Sequence, residues 1–249
     1  MDNPAPIPQE LIDSLRRAGH IVVLTGAGIS AESGVPTFRE AQTGLWARYD
    51  PQQLATPQAF QQRPQLVWDW YAWRRELVAG VEPNPGHDAL ARMETHALRF
   101  TLITQNVDSL HQRAGSRTII ELHGNVARTK CSREDRVVES WPPTDERPPR
   151  CPACGAFLRP DVVWFGEALP LAALYAASEA ARQADVFLTV GTSGLVQPAA
   201  SLPLLAAENG AVMVEINVED TPLSPWMDYT LRGPSGISLP ALVGLAWPG

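Results

Sequence analysis

With 249 residues, 45% of them hydrophobic, the chain is long enough for one substantial core plus a smaller second module, and it is far from disordered in composition. A formal net charge of −7 and a pI of about 5.2 argue against the clustered basic surface that holds nucleic acid. No apolar run approaches the roughly 18 residues of a membrane span, and no charged-then-apolar start marks a secretory signal. The expectation is a cytoplasmic protein with neither nucleic acid nor membrane as partner.

In chain order, Gln9 to Ala18 carries Leu11, Ile12 and Leu15 at helical spacing. Ile21-Val22-Val23-Leu24 then reads as a buried strand ending in Gly26-Ala27-Gly28-Ile29-Ser30-Ala31. Two glycines and a small residue in this G-x-G-x-x-G/A pattern let a backbone turn sharply and approach a pyrophosphate. The same glycines would also serve a plain strand-to-loop turn. Gly34 and Pro36 stop any following helix early. Leu66 to Leu77 is an aromatic-rich helical run, and Asp88 to Leu98 is a second helix. Phe100 to Thr104 has strand length and leads into Gln105-Asn106-Val107-Asp108, with a helix starting near Ser109. Thr118-Ile119-Ile120 is strand-like and precedes Glu121-Leu122-His123-Gly124. Leu171 to Ala184 reads as helix. Two further strands follow, Val186 to Val190 before Gly191-Thr192-Ser193, and Ala211 to Ile216 before Asn217. Strands alternating with helices predict a doubly wound α/β fold with a parallel sheet, whose ligands bind beyond the carboxyl ends of the strands. Residues 40–85 and 127–160 break that alternation and read as insertions.

The string Gly26 to Arg39 (GAGISAESGVPTFR), together with Thr104-Gln105-Asn106-Val107-Asp108 and Glu121-Leu122-His123-Gly124, resembles the signature of the sirtuins, NAD-dependent protein-lysine deacylases. The resemblance implies a Rossmann-type NAD-binding domain over 1–39, 86–126 and 161–249. It also implies a small domain made of a helical module, 40–85, and a zinc-type module, 127–160. NAD would be consumed as a co-substrate, acyl-lysine proteins or peptides would be the partners, and the acyl group would leave on ADP-ribose. Gly26, Ala27, Gly28, Ile29, Ser30, Phe38, Arg39, Gly191, Thr192, Ser193, Asn217 and Ser235 would contact the dinucleotide, and Gln105 a ribose. Asn106, with a catalytic role, and Asp108 would hold the nicotinamide amide and an ordered water. An Asn/Asp-capped turn before a helix is the plainer reading of the same residues.

Of five histidines, His123 alone lies between a strand-like segment and a glycine; His20 precedes a strand, His87 opens a helix, and His96 and His111 read as helical. Imidazole titrates near neutrality, so His123 can act as a general base without strong tuning. In the sirtuin scheme it activates a ribose hydroxyl, and Val162 to Glu167 supplies Val163 and Phe165 to the substrate backbone.

Tyr71 and Arg74 are three apart on the aromatic helix and so share one face. A guanidinium binds a carboxylate through two parallel hydrogen bonds, and a phenol adds a third donor. The pair resembles the Tyr-x-x-Arg of class III sirtuins, which implies succinyl- or malonyl-lysine as substrate, with small Ala55 leaving room. A solvated Arg74, an ion pair with Asp69, or Tyr and Trp residues that simply pack are the alternatives, and would fit a general deacetylase; transfer of ADP-ribose to protein is a further one. The cysteines depart from the family pattern. Four-thiolate zinc needs two C-x-x-C pairs, whereas this chain has Cys131 alone and then Cys151 and Cys154, with Glu134 where a fourth cysteine belongs. Either Glu134 completes a zinc site or the metal has been lost.

Overall fold

The computed structural model describes residues 7–36 and 50–248, so Phe38 and Arg39 lie outside the described residues. In chain order the strands are β1 (Ile21–Thr25), β2 (Phe100–Thr104), β3 (Ile119–Glu121), β4 (Gly124–Cys131), β5 (Leu158–Val162), β6 (Val186–Val190), β7 (Val212–Asn217) and β8 (Tyr229–Arg232). Six of them form one sheet in the order β3-β2-β1-β6-β7-β8, and every pairing in it is parallel. The order reverses between β1 and β6, the switch point at which a doubly wound sheet opens a crevice.

Alternation along β1 shows why helices cover both faces. Ile21 and Val23 pack with α1 (Gln9–Arg17), α6 (Pro85–His96) and α10 (Ser235–Ala246), through Leu11, Leu15, Met93, Leu239 and Leu242. Val22 and Leu24 point the other way, onto Ala177, Ala181, Leu202 and Ala206 of α8 (Leu171–Arg182) and α9 (Leu202–Glu208). With both faces buried, each strand is a continuous apolar run. Helix α6 begins three residues before the expected Asp88. The Asn84 side chain accepts from the Gly86 N–H, and Pro85 occupies the first turn, where its missing N–H costs nothing. The edge strand β8 is short and half polar, and so carries no strand signal in the sequence.

Strand register carries the motifs to one edge. Thr25 lies opposite Thr104 and Val190, Thr104 opposite Glu121, and Val190 opposite Ile216. The residues that follow, Gly26, Gln105, Leu122, Gly191 and Asn217, therefore emerge side by side at the carboxyl end of the sheet.

The insertion read at 127–160 is bounded at its two ends by strands. β4 and β5 pair antiparallel, with a register shift between Asn125 and Thr129 that obscures the two-residue alternation. Helix α5 (Pro64–Ala79) lies against them, and Val67, Trp70, Tyr71 and Val78 share a core with Val126, Val162 and Trp164. Arg75 fastens the contact by donating to the Val126 and Arg128 carbonyls, 2.6 and 3.1 Å away. The shorter helices are α2 (Gly28–Ala31), α3 (Pro51–Leu54), α4 (Pro57–Gln62) and α7 (Leu110–Arg113). No described helix is long and apolar enough to cross a membrane.

Candidate active site

The glycine turn after β1 packs against the turn after β6. A Cβ on Gly26 would lie 2.7 Å from the Gly191 carbonyl oxygen, and one on Gly28 would lie 2.8 Å from the same atom. Gly191 itself sits at φ +58°, and the Gly28 N–H donates to its carbonyl across 2.8 Å. The missing side chains thus serve loop-on-loop approach as well as any approach to a phosphate. Ile29 and Ser30 are buried, and α2 ends after one turn, as Gly34 and Pro36 predict.

Behind this turn lies a buried polar network. Ser30 donates to Asp108 Oδ2 at 2.7 Å and receives Asn106 Nδ2 at 3.1 Å; Asn106 Nδ2 also reaches the Gly26 carbonyl at 3.1 Å. Asp108 Oδ1 accepts from the Leu110 N–H, which opens α7, as the capping reading expects. Burial pushes the Asp108 carboxyl above the usual range, while hydrogen bonds from Leu110 and Ser30 pull it back. Gln105 donates to Thr192 Oγ1 at 2.9 Å, and Asn217 donates to the Thr192 carbonyl at 3.0 Å, linking the ends of β2, β6 and β7. Thr192 is buried and Ser193 is half-buried. Ser235, at the start of α10, donates to Glu32 at 3.1 Å and so ties the adenine-side candidate to the segment after α2.

His87 and His111 belong to the same network, which their sequence positions did not reveal. Their rings lie 4.9 Å apart; His111 Nε2 bonds Thr25 Oγ1 at 2.9 Å, and Thr25 bonds Thr104 Oγ1 at 2.9 Å, which in turn receives the Asn106 N–H. Burial holds both imidazoles neutral, His87 at about 4 and His111 at about 3. Only the helical placement of each was legible, because a histidine's burial depends on what faces it.

His123 stands half-buried at the end of β3, with Nδ1 2.9 Å from the Gln105 carbonyl. A carbonyl only accepts, so Nδ1 carries the hydrogen and Nε2 keeps its lone pair. Burial lowers the His123 pKa below 6.5, against the smaller opposing effect of that hydrogen bond. The ring is therefore a neutral base at neutral pH, with one defined basic atom.

Across the crevice, Tyr71 is 1% exposed and Arg74 7%, which removes the solvated-face reading. Asp69 pairs with Arg147 at 3.5 Å. Arg74 lies over the Trp70 ring, 5.2 Å from its centroid, and its charge is felt by Tyr71 and Asp108. Desolvation pushes the Tyr71 phenol up to about 12 and lowers Arg74. Trp164 Nε1 donates to the Tyr71 oxygen at 3.0 Å. The segment 163–165 follows β5 as a loop, and its N–H groups are all bonded within the chain. Val163 donates to the His123 carbonyl, Phe165 to the Ala55 carbonyl, both at 2.9 Å, and Trp164 to Glu167 at 2.8 Å. Ala55 is buried, and Phe165 is 43% exposed. A groove of about 460 Å³ on the outer side of β3, lined in part by Gln112, Arg117 and Arg128, includes none of the glycine-turn, Asn106 or His123 residues.

Cys131, Glu134, Cys151 and Cys154 place one ligand atom each within 4.8 Å of the others. Tetrahedral ligands roughly 2.0–2.3 Å from an ion lie about 3.3–3.8 Å apart, so this cluster fits zinc once its wider separations close by about 1 Å. All three thiols are free, and Cys131 Sγ lies 3.4 Å from Cys154 Sγ, beyond a disulfide bond.

Residues 26–198 match the Sir2 family. The NAD-dependent protein deacylase 1 of Pseudomonas aeruginosa is 51% identical over 247 residues, covering 96% of this chain and 99% of the relative. The NAD-dependent protein deacylase 2 of Pyrobaculum aerophilum is 54% identical over 231 residues, 93% of this chain and 92% of its own. A crystal structure of a Sir2 homolog in complex with NAD superposes with a TM-score of 0.90 at 46% identity, over 99% of this chain and 96% of that one. A Sir2 structure bound to a myristoylated histone peptide superposes at 0.75 and 34% identity, over 95% and 94%. With its strand order, its glycine turn and its buried Asn106–Asp108 network all on one sheet edge, the chain belongs to the Sir2 family.

Proposed function

We propose that this NAD-dependent protein deacylase removes acidic acyl groups, succinyl and malonyl, from lysine side chains of protein substrates. The observation that carries the reading is the buried pair on α5: a phenol and a guanidinium, 1% and 7% exposed, one turn apart beside the loop that follows β5. A guanidinium taken out of water favours an anion beside it, and Arg74 with Tyr71 matches a carboxylate's lone pairs.

NAD suits the residues at the sheet edge. Asn106 uses Nδ2 within the chain, and no described donor reaches its Oδ1, which is left for an amide N–H. The turns Gly26 to Ser30 and Gly191 to Ser193 would hold the phosphates, Gln105 and Asn217 the riboses, and Ser235 the adenine side, while Asp108 keeps Asn106 and Ser30 in place. When bound, NAD supplies a ribose carbon whose nicotinamide can leave. His123 Nε2 takes the proton of a ribose hydroxyl, held for that task by the Gln105 carbonyl on Nδ1. Val163 and Phe165 flank the acyl-lysine, and the similar Sir2 protein that binds a myristoylated histone peptide supports a peptide as substrate. Cys131, Cys151, Cys154 and Glu134 would hold a structural zinc.

One peptide bearing acetyl-, malonyl- or succinyl-lysine, incubated with NAD and followed by mass spectrometry, tests the reading. Removing one partner of a charge-assisted contact costs about 1.5–3 kcal/mol, roughly 10- to 150-fold. Arg74→Met should lower kcat/KM for the succinyl peptide by that factor and leave the acetyl peptide within about twofold. An unchanged succinyl-to-acetyl ratio would make the chain a general deacetylase in which Arg74 serves structure.

A further inference from the structure

The Tyr71 hydroxyl is buried, yet its hydrogen has no acceptor among the described residues; its hydrogen-bond partner, Trp164, is a donor. Indole Nε1–H can only donate, so the Tyr71 oxygen must accept. A phenol O–H lies in the plane of its ring and has two positions there. The one facing the indole would set two hydrogens against each other, so the hydroxyl hydrogen occupies the other. A buried donor in that state costs free energy until an acceptor arrives.

The indole is itself held. The Arg159 guanidinium lies over the Trp164 ring, 3.3 Å from its centroid, and the same guanidinium bonds both carboxylate oxygens of Glu167 at 2.6 and 2.9 Å. Glu167 closes the arrangement by accepting the Trp164 backbone N–H at 2.8 Å, and Phe60 packs at 5.2 Å on the ring. Trp164 is 2% exposed, so its N–H has a fixed direction.

We propose that Trp164 is a positioning residue for acyl specificity: by donating to the Tyr71 oxygen, it turns the phenol hydrogen away from the indole and offers it to the carboxylate of an acidic acyl chain. The inference rests on the acidic-acyl reading above and adds to it the residue that makes Tyr71 a donor before substrate arrives. Desolvation keeps the phenol protonated across the working range, so the hydrogen is always present. Preorganisation of this kind favours the acidic acyl group because acetyl-lysine has no carboxylate to receive the hydrogen.

The test is a double-mutant cycle on one peptide in succinyl and acetyl forms, with wild type, Trp164→Phe, Tyr71→Phe and the double variant. Phenylalanine keeps an aromatic ring beneath Arg159 and removes the N–H. Trp164→Phe should lower succinyl kcat/KM about 3- to 10-fold, chiefly through KM, with the acetyl value within twofold. The double variant should match Tyr71→Phe alone, since without the hydroxyl there is nothing for the indole to orient. Parallel loss on both peptides, or effects that multiply in the double variant, would overturn the proposal. If Trp164→Phe does not melt cooperatively, benzothienylalanine at position 164 replaces N–H by sulfur at nearly constant shape and answers the same question. Arg74→Met separates the two readings. No change in its acyl ratio removes the acidic-acyl reading altogether; a changed ratio with an unaffected Trp164→Phe removes only the role of Trp164.

Discussion

The two sides of the crevice are built by different means. The floor is made of strand ends: Thr25, Thr104, Gln105, Gly191 and Asn217 arrive together because the parallel register leaves them no alternative. It is tied largely to backbone, as in Asn106 to the Gly26 carbonyl and Asn217 to the Thr192 carbonyl. The opposite wall joins α5 to the loop after β5, segments far apart in the chain that meet through side chains, as in the bond between Trp164 and Tyr71, 93 residues apart. A floor fixed by register suits a cofactor that never varies, and a wall fixed by packing would, if it selects the acyl group as proposed, change that preference without disturbing the sheet. Changes in the floor should therefore affect every acyl substrate alike, and changes in the wall should alter ratios.

The largest effect expected is on the wall's far end. Structural zinc contributes on the order of 10 kcal/mol or more of binding free energy at neutral pH. Cys131 ends β4, and Cys151 and Cys154 precede β5, so the ion would clamp the two strands that carry the wall. Purified protein should contain about one zinc per chain, and chelation should lower its melting temperature. Stable, active protein without metal would show that the Cys131–Leu158 core suffices. Glu134→Ala should weaken zinc retention in competition with a chelator, whereas an unchanged affinity would remove Glu134 as the fourth ligand.

Next is the base. His123→Ala should lower kcat by ~10²-fold or more on acetyl, malonyl and succinyl peptides equally, with NAD binding largely retained, since the proton transfer follows docking. Burial lowers the His123 pKa, so in the wild type the acidic limb of the rate profile should fall below pH 6.5, where a free imidazole would place it. Near-normal turnover of the variant would remove His123 from this role, and unequal losses across acyl groups would break the division between floor and wall.

How much of this was legible follows from the same division. The apolar runs of β1, β2 and β6 and the motifs after them were readable because a strand buried on both faces is written in consecutive residues. Tyr71 and Arg74 were readable as a pair because helix geometry fixes i and i+3. Trp164 was visible only as part of a strand-like string, since its partner lies in a distant helix. The pairing of β4 with β5 was hidden by its register shift. The placement of Gly26 and Gly28 against Gly191 was invisible for a different reason: a glycine shows that a side chain must be absent, and does not show what occupies the space.

The smallest effect concerns the floor's buried histidines and separates its stability from its chemistry. His87 and His111 are 0% and 1% exposed and take up a proton only near pH 4 and 3, whereas in the unfolded chain each titrates near 6.5. Above pH 6.5 both states are neutral and the full stability is present. As pH falls below 6.5 the unfolded chain binds protons that the folded one refuses, so stability drops until the folded values are reached. At pH 5 each histidine should cost about 2 kcal/mol by this linkage. Asp108, whose carboxyl is raised by burial, works in the opposite direction at lower pH, so the contribution is best read as a difference between variants. His111→Asn should have a flatter dependence of unfolding free energy on pH between 6.5 and 4 than the wild type, and His87→Asn likewise. Slopes identical to the wild type in both variants would mean that the two imidazoles are not held neutral, and that the floor is more open to water than its hydrogen bonds indicate.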